Sequence, residues 1–330
     1  MAGRQASVGV VSFLAGALLC LVSCTTATYR VTSRPLPPDL DAYLAAQEAK
    51  IVGLIPADAR RVLWAGAAGQ STPLSIVFLH GYQATPHDYD GVVDALGHAL
   101  HANIYFARLS GYGVTTEAVA DVTLSDWLND AWEAMDIGRQ IGDRVIVVGS
   151  SMGGDLALWL GSRHPPDLEG LVLLSCAVWA KDPRAGMLLW PWPLPQLITR
   201  LVVGKYNILS YDAVRYPGGD PALYARYYPA RYRSESTIKL LRVMQLTRTL
   251  QLESIATPSV WLYSERDEAV DIATLKGCYQ RVGSDPKRLV SVPDAPGHML
   301  AGDVFSPSTS SEVVADIMAF LADAHVSALP

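Results

Sequence analysis

The chain has 330 residues, 50% hydrophobic and 18% charged, with a formal net charge of −6. That is enough for one large core with room for an insertion, and it excludes a disordered chain, while the acidic balance argues against a nucleic-acid partner, which would favour a basic face. Cysteines at positions 20, 24, 176 and 278 are too few for a disulfide framework, so Cys176 and Cys278 read as buried free thiols, and no His or Cys spacing fits a metal ion.

The first predicted element is a targeting segment. Arg4 precedes an uncharged apolar run from Val8 to Ser23 that is short for a membrane span and ends in small residues. Its end, Leu21-Val22-Ser23-Cys24, resembles the lipobox of bacterial lipoproteins; Leu19 makes Cys20 a poorer match. The resemblance implies that residues 1–23 are a signal peptide and that Cys24 becomes the lipidated first residue of an exported protein. More than one acyl chain, palmitate for example, would then hold it on a bacterial membrane surface without spanning it. Thr25, rather than Asp, follows the cysteine, which resembles sorting to the outer membrane where the host has one. Residues 24–59 comprise a tether rich in Thr, Ser and Pro and then a helix spaced by Leu40, Tyr43 and Leu44, with Asp39 as its N-cap.

The body alternates short β-branched runs with segments of helical period. Strands are predicted at Arg61–Ala65, Ser75–Leu79, Asn103–Ala107, Arg144–Val148, Leu168–Leu174, Ser259–Tyr263 and Arg288–Val292. Helices are predicted at His87–Leu100, Leu124–Ile141, Gly153–Arg163, Asp271–Val282 and Ser311–Ala324. Runs such as Val145-Ile-Val-Val148 are apolar on both faces, which suits a mostly parallel sheet with helices on both sides. In such a sheet the chemistry sits beyond the carboxyl ends of the strands.

Residues 180–250 break the alternation and read as a helical cap, inserted between the two parts of the core at 60–179 and 251–330. Between 181 and 250 lie 11 Lys or Arg and only 4 acids, with Trp190, Trp192 and seven Tyr. Two expectations follow. The aromatics pack the cap on the core and the arginines pair with acids of the body; or the cap meets an amphiphilic, anionic substrate at a membrane, where Trp, Tyr and basic residues are favoured.

Gly149-Ser150-Ser151-Met152-Gly153 follows a predicted buried strand and opens a predicted helix. A serine hydroxyl is a weak nucleophile and must be placed where a base can reach it. A sharp strand-to-helix turn does so, with glycines where side chains would collide, and the Met152 N–H can donate to an oxyanion. Ser151 is therefore the candidate nucleophile. In this arrangement an acid and then a histidine follow the serine. His298, in the turn Asp294-Ala-Pro-Gly-His298 after a predicted strand, is the candidate base. His164 reads as a surface cap and His325 as part of a frayed end. For the acid, Glu265, Asp267 and Glu268 all follow strand Ser259–Tyr263 and stay open, with Asp271 the N-cap of the next helix. His80-Gly81-Tyr82 ends an early strand. Its Tyr82 N–H is the candidate second oxyanion donor, and His80 props the loop.

Together these motifs resemble the α/β-hydrolase superfamily, in particular its small esterases and monoacylglycerol-lipase-like enzymes, from about Val62 to Leu321. Ser264-Glu-Arg-Asp267-Glu-Ala-Val270 resembles the family's Gly-x-x-Asp-x-x-Val, with Ser264 in place of the usual glycine, and this selects Asp267 as the acid. Leu109-Ser-Gly-Tyr-Gly113 resembles the family's turn after the next strand. The resemblance implies an α/β-hydrolase fold and cleavage of a lipid-like or acyl carboxylic ester through Ser151, His298 and Asp267, with no cofactor. It leaves open a peptidase or thioesterase on the same scaffold, or an inactive membrane-anchored binding protein.

Overall fold

A seven-stranded sheet carries the fold, its inner strands apolar and buried. The computed structural model describes residues 31–32, 35–115, 117–190, 194–202 and 204–326. The proposed signal peptide with Cys20 and Cys24 lies outside these residues, as does Trp192. In chain order the elements are α1 (Leu40–Glu48), β1 (Arg61–Leu63), β2 (Thr72–Leu79), α2 (Val92–Leu100), β3 (Asn103–Phe106), α3 (Leu124–Ile141), β4 (Gly142–Ser150), α4 (Met152–Gly161) and β5 (Leu168–Leu174). There follow α5 (Leu194–Val202), β6 (Tyr206–Ile208), α6 (Pro221–Tyr227), β7 (Arg231–Arg233), α7 (Ser236–Thr249), β8 (Ser259–Tyr263), α8 (Ile272–Arg281), β9 (Lys287–Ser291) and α9 (Ser310–Asp323).

The main sheet has the order β1-β3-β2-β4-β5-β8-β9. Only β1 runs antiparallel to its neighbour. The chain therefore has the mostly parallel, helix-covered sheet that its alternating pattern predicts, and with it the α/β-hydrolase fold that the resemblance implies. Central β4 pairs with β2 and β5, and Val145, Ile146, Val147 and Val148 are buried on both faces. Each such side chain taken from water contributes about 1.5–3 kcal/mol, so this strand is fixed in register and the turn after it is fixed in space. Helix α3 lies against β2 and β4 with Trp127, Leu128 and Met135 buried. On the other side of the sheet α2 and α9 pack together.

Helix α1 begins where expected, with the Asp39 side chain accepting from Ala42 N at 2.9 Å. Its far end is clamped to the core: the buried Glu48 carboxylate receives Arg60 and Arg108, each at 2.8 Å. Cys176 and Cys278 are buried free thiols.

One helix starts later than its apolar spacing predicts. The run from His87 becomes helical only at Val92, because Gly91 takes φ +85 and its N–H is held by Asp94 at 3.1 Å. Residues 87–90 are left as a turn. Between β5 and β8 the chain forms an insertion in which β6 and β7 pair as a small antiparallel ribbon. Among the described residues no helix is long and apolar enough to cross a membrane.

Candidate active site

Ser151 occupies the turn between β4 and α4 with φ +50. A side chain holds this left-handed conformation only where its surroundings over-determine it. A Cβ on Gly149 would lie 2.4 Å from Gly153 O, and one on Gly153 would lie 2.0 Å from Leu79 O, so neither glycine can be replaced without moving backbone. The turn is pinned by Ser151 N donating to Leu174 O at 2.8 Å.

His298 arrives from the loop after β9. Its Nε2 lies 2.9 Å from Ser151 Oγ and its Nδ1 lies 2.8 Å from Asp267 Oδ2. A proton on Nδ1 satisfies the carboxylate and leaves Nε2 to accept from the serine hydroxyl. Asp267 is fully buried, and its other oxygen accepts from Ala269 N at 2.8 Å and Val270 N at 2.9 Å. Burial pushes the Asp267 carboxyl up, but the charge and hydrogen bond of His298 and these two N–H groups outweigh it, leaving the acid below its ordinary range. Burial pushes the His298 imidazole down, and the charge and hydrogen bond of Asp267 reverse this, raising it above its ordinary value.

The three other acids of this loop differ. Glu265 is exposed and paired with Lys276 at 2.6 Å. Asp271 caps α8 through Thr274 N at 3.0 Å, as its position predicts. Glu268 is exposed but has partners on both sides. It accepts from the His298 backbone N at 3.0 Å and holds Arg215 of the insertion at 2.6 Å. No sequence signal joins Arg215 to Glu268; only the insertion's path brings them together.

Tyr82 follows Gly81 at the end of β2, and Met152 is the first residue of α4, where a helix leaves its N–H without an intrahelical partner. A Cβ on Gly81 would sit 3.2 Å from Ser151 Cβ, so this loop touches the Ser151 turn. His80 braces the loop: its Nε2 accepts from Leu109 N at 3.0 Å and its Nδ1 meets Gly81 O at 2.9 Å. Burial pushes His80 down to about 3, so it is a neutral prop.

A cavity of about 300 Å³ opens onto Ser151 and His298 beneath the insertion. Its wall is aromatic. Tyr216, Tyr224 and Tyr228 meet Phe305 edge to face with ring centroids 5.3, 5.9 and 5.4 Å apart. Three carboxylates also line it, and each has partners. Glu268 holds Arg215; Asp212 accepts from Val214 N and Arg215 N; Asp88 accepts from Gly81 N and Tyr228 OH. None of the seven tyrosines between 181 and 250 is exposed. Several arginines of the insertion pair with acids, Arg200 with Glu235 at 3.0 Å and Arg233 with Glu117 at 2.9 Å. The tyrosines are packed inward and Arg233 reaches an acid of the body, as one expectation has it, whereas Glu235, the partner of Arg200, belongs to the insertion itself.

Residues 70–304 match the model of the family described as serine aminopeptidase, S33. A thermostable monoacylglycerol lipase of Bacillus sp. (strain H-257) is 26% identical over 222 residues, 67% of this chain and 81% of the relative. Among solved structures, that of a metagenome-derived lipolytic enzyme superposes with TM-score 0.67 at 18% identity, covering 82% of this chain and 99% of the other. The monoglyceride lipase of Saccharomyces cerevisiae, solved with a substrate analogue, gives TM-score 0.59 at 13% identity, covering 81% and 91%.

Proposed function

The chain belongs to the serine aminopeptidase, S33 family, and from that premise we propose that it is a serine hydrolase cleaving carboxylic esters of lipid-like acyl groups. The observation that carries this reading is His298 bridging Ser151 and Asp267 at the floor of an aromatic-walled cavity. His298 Nε2 takes the Ser151 hydroxyl proton as Oγ attacks the ester carbonyl. The Tyr82 and Met152 N–H groups hold the oxyanion. The tetrahedral intermediate expels the alcohol, which receives the proton from His298, and leaves an acyl-Ser151. Water, deprotonated by His298, then releases the acid and restores the serine. Asp267 keeps the imidazole in the tautomer this requires.

The family's description names aminopeptidases, and an aminopeptidase needs an unpaired carboxylate for the substrate's ammonium group. Two of the three carboxylates lining this cavity, Glu268 and Asp88, are held by Arg215, Tyr228 and Gly81 N–H, and Arg215 also stands 3.7 Å from Asp212, which favours a neutral acyl chain. The test is a series of p-nitrophenyl esters of rising chain length beside aminoacyl anilides. Ester kcat/KM is expected to exceed that for anilides by on the order of 100-fold. Equal or faster anilide cleavage would hand the reading to the peptidase.

Membrane attachment has two proposed sources. One is lipid on Cys24, after removal of residues 1–23, which places an exported protein on a bacterial membrane. The other is the outer side of the insertion, where Leu194, Leu197, Leu201 and Val202 of α5 are exposed at helical spacing, near an exposed Trp190. Cys24→Ser is expected to release the protein to the soluble fraction or leave it unprocessed, with short-ester activity retained; unchanged processing and retention would rule out lipidation there. Protein lacking residues 1–24 is expected to bind anionic vesicles more than neutral ones, and Leu197→Asp plus Leu201→Asp to weaken this. Equal, negligible binding to both vesicle types would remove the second source.

A further inference from the structure

Asp88 is a fully enclosed carboxylate that the mechanism above does not use. It lies in the turn before α2 with 2% of its surface exposed. Its Oδ2 accepts from Gly81 N at 3.1 Å and from Ser150 Oγ at 3.4 Å, and its Oδ1 accepts from the Tyr228 hydroxyl. These donors come from three places: the loop that carries the Tyr82 N–H, the residue before the nucleophile, and the insertion. Burying a carboxylate is costly unless it is paired or well hydrogen-bonded. Burial pushes Asp88 up to about 6, against the pull of these donors. A residue serving packing alone would be cheaper without the charge.

The position of Gly81 explains what that charge accomplishes. Its Cα is held between Ser151 and Asp88: a Cβ there would meet Ser151 Cβ at 3.2 Å and Asp88 Oδ2 at 3.3 Å. The Gly81 N–H is tied to the carboxylate on one side, and His80 Nδ1 meets Gly81 O on the other. With both peptide groups flanking Gly81 anchored, the next N–H, that of Tyr82, has little rotational freedom. Tyr228 connects this to the insertion, stacking on Tyr224 at 4.9 Å while its hydroxyl reaches Asp88. We propose that Asp88 is a positioning residue that sets the Gly81–Tyr82 peptide against Ser151 and, through Tyr228, makes that setting depend on how the insertion is seated.

Because this rests on Ser151 being the nucleophile and Tyr82 N–H an oxyanion donor, the experiment carries Ser151→Ala beside the Asp88 variants. Asp88→Ala, Asp88→Asn and Tyr228→Phe are made in the full chain, and kcat and KM are measured separately on a short soluble ester. Affinity is also measured for an alkyl boronic acid, which forms a tetrahedral adduct on the serine. Misplacing one oxyanion donor costs about 10- to 100-fold in kcat. Asp88→Ala is expected in that range, with KM within about threefold of wild type and boronate affinity falling in parallel with kcat/KM. Asp88→Asn should recover part of the loss, since its carbonyl can still accept from Gly81. Tyr228→Phe should lower kcat by about three- to tenfold with the same split. If Asp88→Ala does not fold, the other two variants decide. Folded variants that keep kcat within twofold, that change KM alone, or that lose kcat with boronate affinity intact would overturn the proposal. A wild type without esterase activity, or an active Ser151→Ala, would overturn the catalytic reading on which it rests. An inactive Ser151→Ala beside unchanged Asp88 variants would remove the Asp88 role only.

Discussion

Ser151→Ala is expected to lower ester turnover by about 10⁴-fold or more while the fold persists. The substitution removes one oxygen and leaves the Cβ in place. Alanine suffers the same strain at φ +50 as serine does, so the turn gains no reason to relax. The Ser151 N–H bond to Leu174 O is a backbone bond and survives. What disappears is the hydroxyl oxygen 2.9 Å from His298 Nε2, the proposed attacking atom. The check is steady-state turnover, together with labelling by a fluorophosphonate probe, which wild type should take up at Ser151 and the variant should not. A pure, folded variant keeping more than a tenth of the activity would place the nucleophile elsewhere.

Asp267→Asn is expected to cost nearly as much, about 10⁴-fold in kcat. The amide can present its NH2 to His298 Nδ1, which favours the tautomer whose proton sits on Nε2, facing Ser151. That histidine can no longer accept from the serine. The variant also carries a signature in pH. The proposed mechanism needs neutral His298, and the Asp267 charge raises the pH at which the imidazole loses its proton. Without that charge the acid limb of kcat/KM should move to lower pH. Glu265→Gln, altering an exposed pair with Lys276, should stay within about twofold of wild type. A larger loss in Glu265→Gln than in Asp267→Asn would reassign the acid.

The parts of this site that can be read from sequence are those governed by local pattern. Val145–Val148 declares itself a buried parallel strand, and the glycines around Ser151 mark a turn too tight for side chains. Serine, acid and histidine then fall after β4, β8 and β9, because a parallel sheet delivers every strand to the same edge. Asp88 and Glu268 stay hidden because their roles come from partners far along the chain. Tyr228 is 140 residues from Asp88, and neither side of that pair has a local signature. Asp88 is obscured further by the apolar period running from His87, which the Gly91 backbone interrupts. The aromatics of the insertion mislead for a similar reason. Trp and Tyr suit a lipid boundary and a cavity wall equally well, and only tertiary packing turns the tyrosines inward. The outward apolar residues include Trp190 but are mostly aliphatic, Leu194, Leu197, Leu201 and Val202 of α5 among them.

The parallel pairing of β5 with β8, from Leu171 opposite Ser259 to Leu174 opposite Leu262, joins two stretches of chain on either side of the insertion. The entropy lost in closing such an excursion grows only with the logarithm of its length, about 0.6 kcal/mol per doubling. The scaffold is therefore nearly indifferent to how much chain leaves Leu174 before it returns at Ser259. That excursion can be lengthened or exchanged without undoing the pairing of β5 with β8, provided the new chain restores the two ties it makes to the site, Tyr228 to Asp88 and Arg215 to Glu268.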